Sequence, residues 1–219
     1  MEIDLLGGVP DPARRALLAA AVRRRFERGE VVFHEGDLAD TVHWVVEGRV
    51  ASRRTTPSGD TVILAVVGPG ELVGEMALLS PRARRTTAVV ALEPAVTMAV
   101  GFGDVDRLRR RHPDLDRLLL DLLAHRVRRL SDHLLDALHV PAGQRVVRRL
   151  AELGATYGAG SSGEVVVRLT QSEIGELAGS SRPVTNQVLR RLEEDGLVRL
   201  GRGAVTLLDP AGLVRRAAS

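Results

Sequence analysis

The sequence predicts an α+β chain: an N-terminal antiparallel β-roll of the jelly-roll type, then a long helix, then a C-terminal winged helix-turn-helix. Three observations carry this. Gly36, Gly48, Gly59 and Gly70 lie 12, 11 and 11 residues apart, with Val-rich runs such as 42–46 and 62–67 between them. Short strands with a turn at that spacing close into a small barrel or roll. Further on, Leu120, Leu123, Val127, Leu130, Leu134 and Ala137 alternate by three and four, a heptad seam on a long helix. Finally, residues 170–194 read as two short helices joined by a tight turn, the pattern of a helix-turn-helix.

The elements follow in order. Residues 12–28 read as a short amphipathic helix, and 30–101 as the β-rich roll. From 104 to 139 the pattern is helical, with a break at His112-Pro113 and Asp114 near the new start. A second apolar row, Leu115, Leu118, Leu119 and Leu122, can pack on the chain's own roll, which leaves the heptad seam for a second subunit. Arg126, Arg128, Arg129, Asp132 and Asp136 lie off the seam. Val140, Pro141, Ala142 and Gly143 form a hinge, and 144–156 a further helix. Residues 156–163 are a loop and 165–169 a strand. Residues 197–208 read as a hairpin turning at Gly201-Arg202-Gly203, the wing. The expected boundaries are 1–111 for the roll, 112–139 for the dimerisation helix and 140–219 for the winged domain.

Composition narrows the classes. With 44% hydrophobic residues but only 2% aromatic ones, the cores are mostly Leu, Val and Ala. The net charge of +3 and pI of about 10.6 suit a polyanionic partner. All 31 basic residues are Arg, which G+C-rich coding explains. The absence of Cys excludes disulfides, thiolate zinc sites and Cys-held iron–sulfur clusters. No apolar run reaches transmembrane length. The N-terminus carries Glu2 and Asp4, with Arg15 and Arg23 to Arg25 flanking its apolar run, so it does not read as a signal peptide. A cytoplasmic protein is expected. His34 and His43 are haem ligands in name only, since a lone His in a roll is more often a satisfied structural residue. No paired His with a following carboxylate suggests a metal triad, and no nucleophile–base pair suggests an enzyme.

In residues 170–194, Thr170 and Glu173 have capping-box spacing. Ile174 and Leu177 give the first helix a buried face, and Gly179 can end it. Ser181 can cap the second helix, with Pro183 in its first turn. Val184, Val188 and Leu192 recur as the packed face. Arg182, Asn186, Gln187, Arg190 and Arg191 remain for a partner, in a helix sized for the DNA major groove. Thr170, Ser181, Pro183 and Thr185 join this candidate DNA surface, and Arg202 at the wing tip can meet phosphate.

The second chemical feature lies at 69–91. Gly74-Glu75 precedes a short apolar helix at 76–79, and Arg84, Arg85, Thr86 and Thr87 follow. Free N–H groups at a helix start, an Arg fork and a hydroxyl can surround one anion, while a carboxylate can accept a bond from a ribose hydroxyl.

With both features in place, the chain from about residue 20 to 208 resembles the CRP/FNR family of bacterial transcription regulators. The resemblance implies a cyclic-nucleotide-binding roll in which Gly74, Glu75, Met76 and Ala77 form the cassette and Glu75 takes the ribose hydroxyl. Arg85 and Thr86 match the pair that holds the cyclic phosphate. Arg126 and Ser131 match positions on the long helix that approach the nucleotide, Ser131 from the partner subunit. It also implies a homodimer that binds pseudo-palindromic double-stranded DNA, contacts RNA polymerase and needs no cofactor beyond an effector. Cyclic AMP ranks first as effector.

Three positions depart from the family pattern. Leu130 stands where cyclic-AMP members commonly have Thr; it cannot hydrogen-bond adenine, and it improves the seam. Weaker cyclic AMP binding, another cyclic nucleotide, or activity without nucleotide all remain open. Pro183 replaces a Glu and Gln187 an Arg among the positions that match base readers, beside Arg182. The operator should therefore keep one guanine contact and differ elsewhere. The competing class is a cyclic-nucleotide module that regulates a protein partner through its winged helix.

Overall fold

The computed structural model describes residues 11–79, 84–158 and 163–218. The chain divides into two compact units, one of residues 1–54 with 66–130 and the other of residues 55–65 with 131–219.

In the first unit, helix α1 (Asp11–Ala20) buries Ala13 and Leu17. The predicted helix at 12–28 therefore stops early, and Val22–Phe26 is strand β1. The reason is tertiary. This segment pairs antiparallel with β8 (Ala95–Gly101), Val22 opposite Ala99 and Phe26 opposite Ala95. Its three arginines hide the alternation that would mark an edge strand. The remaining strands are β2 (Val31–Phe33), β3 (Thr41–Glu47), β4 (Val50–Thr55), β5 (Thr61–Val67), β6 (Leu72–Val73) and β7 (Ala88–Ala91). They form two four-stranded sheets, ordered β1-β8-β3-β6 and β2-β7-β4-β5. The four turn glycines have φ between +70° and +90°. At Gly48 a side chain is also excluded by space, because a Cβ there would lie 2.2 Å from the Pro94 carbonyl oxygen.

Strand β3 is buried on both faces. Val42 and Val46, with Val96 and Val100 of β8, pack against α1, against Val105 and Leu108 of α2 (Phe102–Arg111) and against Leu115 of α3 (Asp114–His139). Leu118, Leu119 and Leu122 extend that core. This is the second apolar row, placed where its spacing predicts. The helix break falls at His112, whose N–H bonds the Leu108 carbonyl. Opposite faces of β3 thus serve different purposes: the even residues hold the helices, and the odd ones, Thr41 and His43, line the roll where the cassette sits.

In the second unit, α4 (Ala142–Gly158) begins at the residues predicted as hinge. The Arg145 N–H already bonds the Pro141 carbonyl at 3.0 Å, so the non-helical stretch shrinks to Val140-Pro141. The helix also continues into the predicted loop at 156–163, of which residues 159–162 lie outside the described residues. Strand β9 (Val165–Val167) joins β10 (Val198–Gly201) and β11 (Ala204–Leu207) in the order β10-β11-β9. Helices α5 (Gln171–Ala178) and α6 (Arg182–Glu194) pack on α4 around Val146, Leu150, Ile174 and Leu189, all fully buried. A last helix, α7 (Pro210–Ala218), was not anticipated. It starts where Asp209 Oδ1 accepts the Gly212 N–H at 2.8 Å, a cap whose signal was Asp-Pro ahead of Leu213.

Candidate functional sites

The first site is built at the turn after β6. Gly74 has φ +84°, a conformation that L side chains rarely adopt. It leads into a short 3₁₀ helix at Glu75–Leu79. Past residues 80–83, the backbone of Arg85 is pinned between strands: its N–H bonds Asp37 O at 2.9 Å, and its carbonyl accepts the Gly36 N–H at 2.8 Å. These constraints turn the Arg85 side chain inward, where the residue is 5% exposed. Its Nη1 donates to Gly74 O at 3.4 Å and its Nη2 to Thr41 Oγ1 at 3.1 Å. The guanidinium lies 4.1 Å from the centre of the Phe33 ring, within cation–π range. Nε has no hydrogen-bond partner among the described residues.

Glu75 is 1% exposed. Arg126 of α3 donates Nη1 to its Oε1 and Nη2 to Leu72 O. Oε2 of Glu75 has no hydrogen-bond partner among the described residues. Burial pushes the Glu75 carboxyl above its ordinary value, against the pull of Arg126. Burial also lowers Arg85, against Asp40, Asp37 and Glu75. A buried polar atom left unpaired costs about 1–3 kcal/mol. The site therefore holds one uncommitted buried donor and one uncommitted buried acceptor, of the kinds an anion and a hydroxyl would satisfy.

Of the predicted effector residues, Gly74, Glu75, Arg85 and Arg126 come together. Ala77 is buried, while Met76, Thr86 and Ser131 are exposed. Thr41, His43 and Phe33 surround Arg85 and were not singled out as site residues. The alternation along 41–46 places Thr41 and His43 on one strand face, which was the available signal. His43 is a satisfied core residue, as expected, with both ring nitrogens near threonine hydroxyls. His34 is exposed. Among the described residues no His, Cys, Asp and Glu cluster could hold a metal.

The second site is the α5–α6 pair. The capping box forms: Thr170 Oγ1 accepts the Glu173 N–H at 3.2 Å, and Glu173 Oε2 accepts the Thr170 N–H at 2.7 Å. Gly179 ends α5 in the left-handed region at φ 57°. Ser181 occupies the N-cap of α6, but its side chain makes no capping bond. The buried row of α6 is Thr185, Leu189 and Leu192, one residue on from the predicted Val184 and Val188, which are half-buried. The shift withdraws Thr185 from the candidate DNA surface. It is fully buried, with its hydroxyl against Gly175, where even a Cβ would lie 3.0 Å from Oγ1. Thr170 keeps its hydroxyl in the capping box. Ser181, Arg182, Pro183, Gln187, Arg190 and Arg191 are exposed, and Asn186 is half-buried. Arg202 is exposed at the tip of the β10–β11 hairpin. No ion pair involves Arg182, Arg190, Arg191 or Arg202 among the described residues, whereas Arg199 and Arg216 are paired with Glu164 and Asp195. The cations facing away from the core on α6 and the wing are thus the ones left for an external anion.

Along α3, Leu120, Val127, Leu130, Leu134 and Leu138 are 52–66% exposed. Ala137 is exposed and Leu123 half-buried.

A buried Arg–Glu cassette in a β-roll, followed by a long helix and a winged helix-turn-helix, defines a ligand-responsive regulator fold. The comparisons assign it: residues 23–112 match the cyclic nucleotide-binding domain family, and residues 144–216 match the Crp-like helix-turn-helix domain family. The chain is 33% identical over 216 residues to the "CRP-like cAMP-activated global transcriptional regulator" of Mycobacterium tuberculosis, covering 96% of this chain and 94% of that protein. It is 37% identical over 190 residues to the "Cyclic AMP receptor protein" of Thermus thermophilus, covering 86% and 85%. The solved structure of the c-di-GMP-responsive global regulator CLP of Xanthomonas campestris superposes with a TM-score of 0.77 at 25% identity, covering 91% of this chain and all of that one. The chain belongs to the CRP family of transcription regulators, with a cyclic nucleotide-binding domain and a helix-turn-helix DNA-binding domain. No described helix is long and apolar enough to cross a membrane.

Proposed function

We propose that the protein is a homodimeric, sequence-specific DNA-binding regulator acting in the cytoplasm, controlled by a cyclic nucleotide with cyclic AMP first among candidates. The observation that carries this is the pair of uncommitted buried atoms, Arg85 Nε and Glu75 Oε2, flanking a glycine whose backbone admits close approach. Arg85 and Thr86 hold the cyclic phosphate and Glu75 the ribose hydroxyl. Met76 and Ala77 line the cassette helix, and Arg126 and the partner's Ser131 approach from α3. Two relatives whose names include cyclic AMP support this choice.

Dimerisation uses the exposed apolar row of α3, since leucines half or more exposed are best explained by a second helix. The ligand acts by population shift. It must contact two states differently, and Arg126, which already binds Glu75, can report occupancy to α3. The DNA surface is Ser181, Arg182, Pro183, Asn186, Gln187, Arg190 and Arg191, with Arg202 on the wing and RNA polymerase as the onward partner. Arg182 forks onto guanine, and Gln187 suits adenine. Leu130 favours a second reading, a dimer competent for DNA without nucleotide.

The test is a fluorescence-anisotropy titration onto palindromic DNA with a randomised core, with and without saturating cyclic AMP. Binding that appears only with cyclic AMP supports the proposal. Equal binding in both arms removes cyclic AMP as the switch, and no binding in either arm favours the protein-partner class.

A further inference from the structure

Behind Arg85 runs a chain of side chains that reaches the centre of the roll. The Thr41 hydroxyl accepts from Arg85 Nη2 at 3.1 Å. It also lies 3.0 Å from Asp40 Oδ1 and 3.3 Å from His43 Nε2. His43 Nδ1 in turn lies 3.1 Å from Thr97 Oγ1. A hydroxyl has one proton and two lone pairs, and a carboxylate only accepts. The Thr41 proton therefore goes to Asp40, and its lone pairs take Arg85 and His43. That places the imidazole proton on Nε2 and leaves Nδ1 to accept the Thr97 hydroxyl. Every proton in the chain then meets an acceptor, with no conflict. The chain is buried at its inner end, with Thr97 fully buried and His43 6% exposed. His43 is held neutral, its pKa lowered to about 4 by burial, then by the charges of Arg85 and Arg24, against Asp40.

We infer that His43 is a positioning residue for the anion site: its Nε2–H fixes the Thr41 hydroxyl, and through it the orientation of the Arg85 guanidinium. Without that donor the hydroxyl keeps its bond to exposed Asp40 but loses its buried anchor, and Nη2 faces a less firmly held acceptor. Phe33 limits only the tilt of the guanidinium plane, since a ring face attracts the cation without setting its rotation. The consequence for ligand affinity rests on the cyclic-nucleotide reading above; the ordering of Arg85 does not.

Two variants of the full-length protein separate these points. His43→Gln keeps an N–H donor toward Thr41, and His43→Phe fills the ring space without one. In ligand-free protein, nitrogen-15 NMR should show His43 as the neutral Nε2–H tautomer. The Arg85 Nη signals should be distinct in wild type and His43→Gln and averaged by rotation in His43→Phe. Calorimetric titration with cyclic AMP should then show His43→Phe weakened about three- to tenfold, the worth of one hydrogen bond, with His43→Gln restored to wild type. A proton on Nδ1, or equal losses in the two variants, overturns the inference. Wild-type protein that shows the NMR pattern but does not bind cyclic AMP overturns the ligand reading and leaves the positioning role standing.

Discussion

Replacing Gly74 with Ala tests the cassette most directly, because its backbone and its ligand contacts fail for different reasons. The added Cβ would lie 2.6 Å from Arg85 Nη1 and 3.4 Å from both Phe33 Cε1 and Thr41 O. Backbone and ring sit at ordinary contact, so the guanidinium is the group that yields, by about 0.8 Å. The left-handed φ of +84° adds roughly 1–2 kcal/mol of strain for a residue with a Cβ. That strain lowers the melting temperature by about 2–8 °C. A displaced guanidinium also loses a charge-assisted bond to the ligand of about 1.5–3 kcal/mol, a drop of about 10- to 100-fold in cyclic AMP affinity. Gly59→Ala is the control: φ there is +90° and no atom lies within 4 Å of the added Cβ. It should lose comparable stability and no affinity. Thermal unfolding and calorimetric titration of both variants decide the matter. If Gly74→Ala binds cyclic AMP as tightly as Gly59→Ala, the close approach of Gly74 and Arg85 is not part of the ligand site.

Three further outcomes are expected. His43 has a folded pKa of about 4, below its ordinary 6.5, so the unfolded chain takes up the proton first. Its contribution to stability is full above pH 6.5 and is lost as pH falls toward 4, on the order of 3 kcal/mol. Unfolding of His43→Gln should lack that slope, and an unchanged slope would remove His43 as its source. Arg182→Ala should cost about 1–3 kcal/mol on the preferred DNA and relax one base position. Selection from a randomised pool checks this, and an equal loss on every sequence would make Arg182 a phosphate contact. Leu134→Asp should yield folded monomers by sedimentation, because Leu134 is 60% exposed in the protomer; a persistent dimer would move the interface elsewhere.

Much of this architecture was legible from spacing alone. Turn glycines, two apolar rows on α3 and the Thr170–Glu173 box each express a local rule, and local rules survive without the rest of the chain. The misreadings share a cause. Residues 22–26 have no apolar alternation, and only pairing with β8 makes them a strand. The packed face of α6 is set by how the helix leans on α5, so Thr185 turned inward where its polarity suggested an outward role. Gly143 is a poor helix former, yet it joins α4 with Ala142 because the core of Val146 and Leu150 draws the helix start back.

The candidate site shows the same division. Its chemistry, Gly74-Glu75 followed by Arg85-Thr86, stood in the sequence as a motif, because residues close along the chain keep a fixed spacing in any fold. The bonds from Arg126 to Glu75 and from Arg85 to Thr41 join residues 51 and 44 positions apart. Contacts at that separation depend on strand register and helix packing, which bring distant residues together only once the whole unit has folded. The sequence by itself thus determined which groups are available to meet a cyclic phosphate and a DNA duplex. The tertiary structure decided which of them are buried, which are already paired, and which remain free to bind.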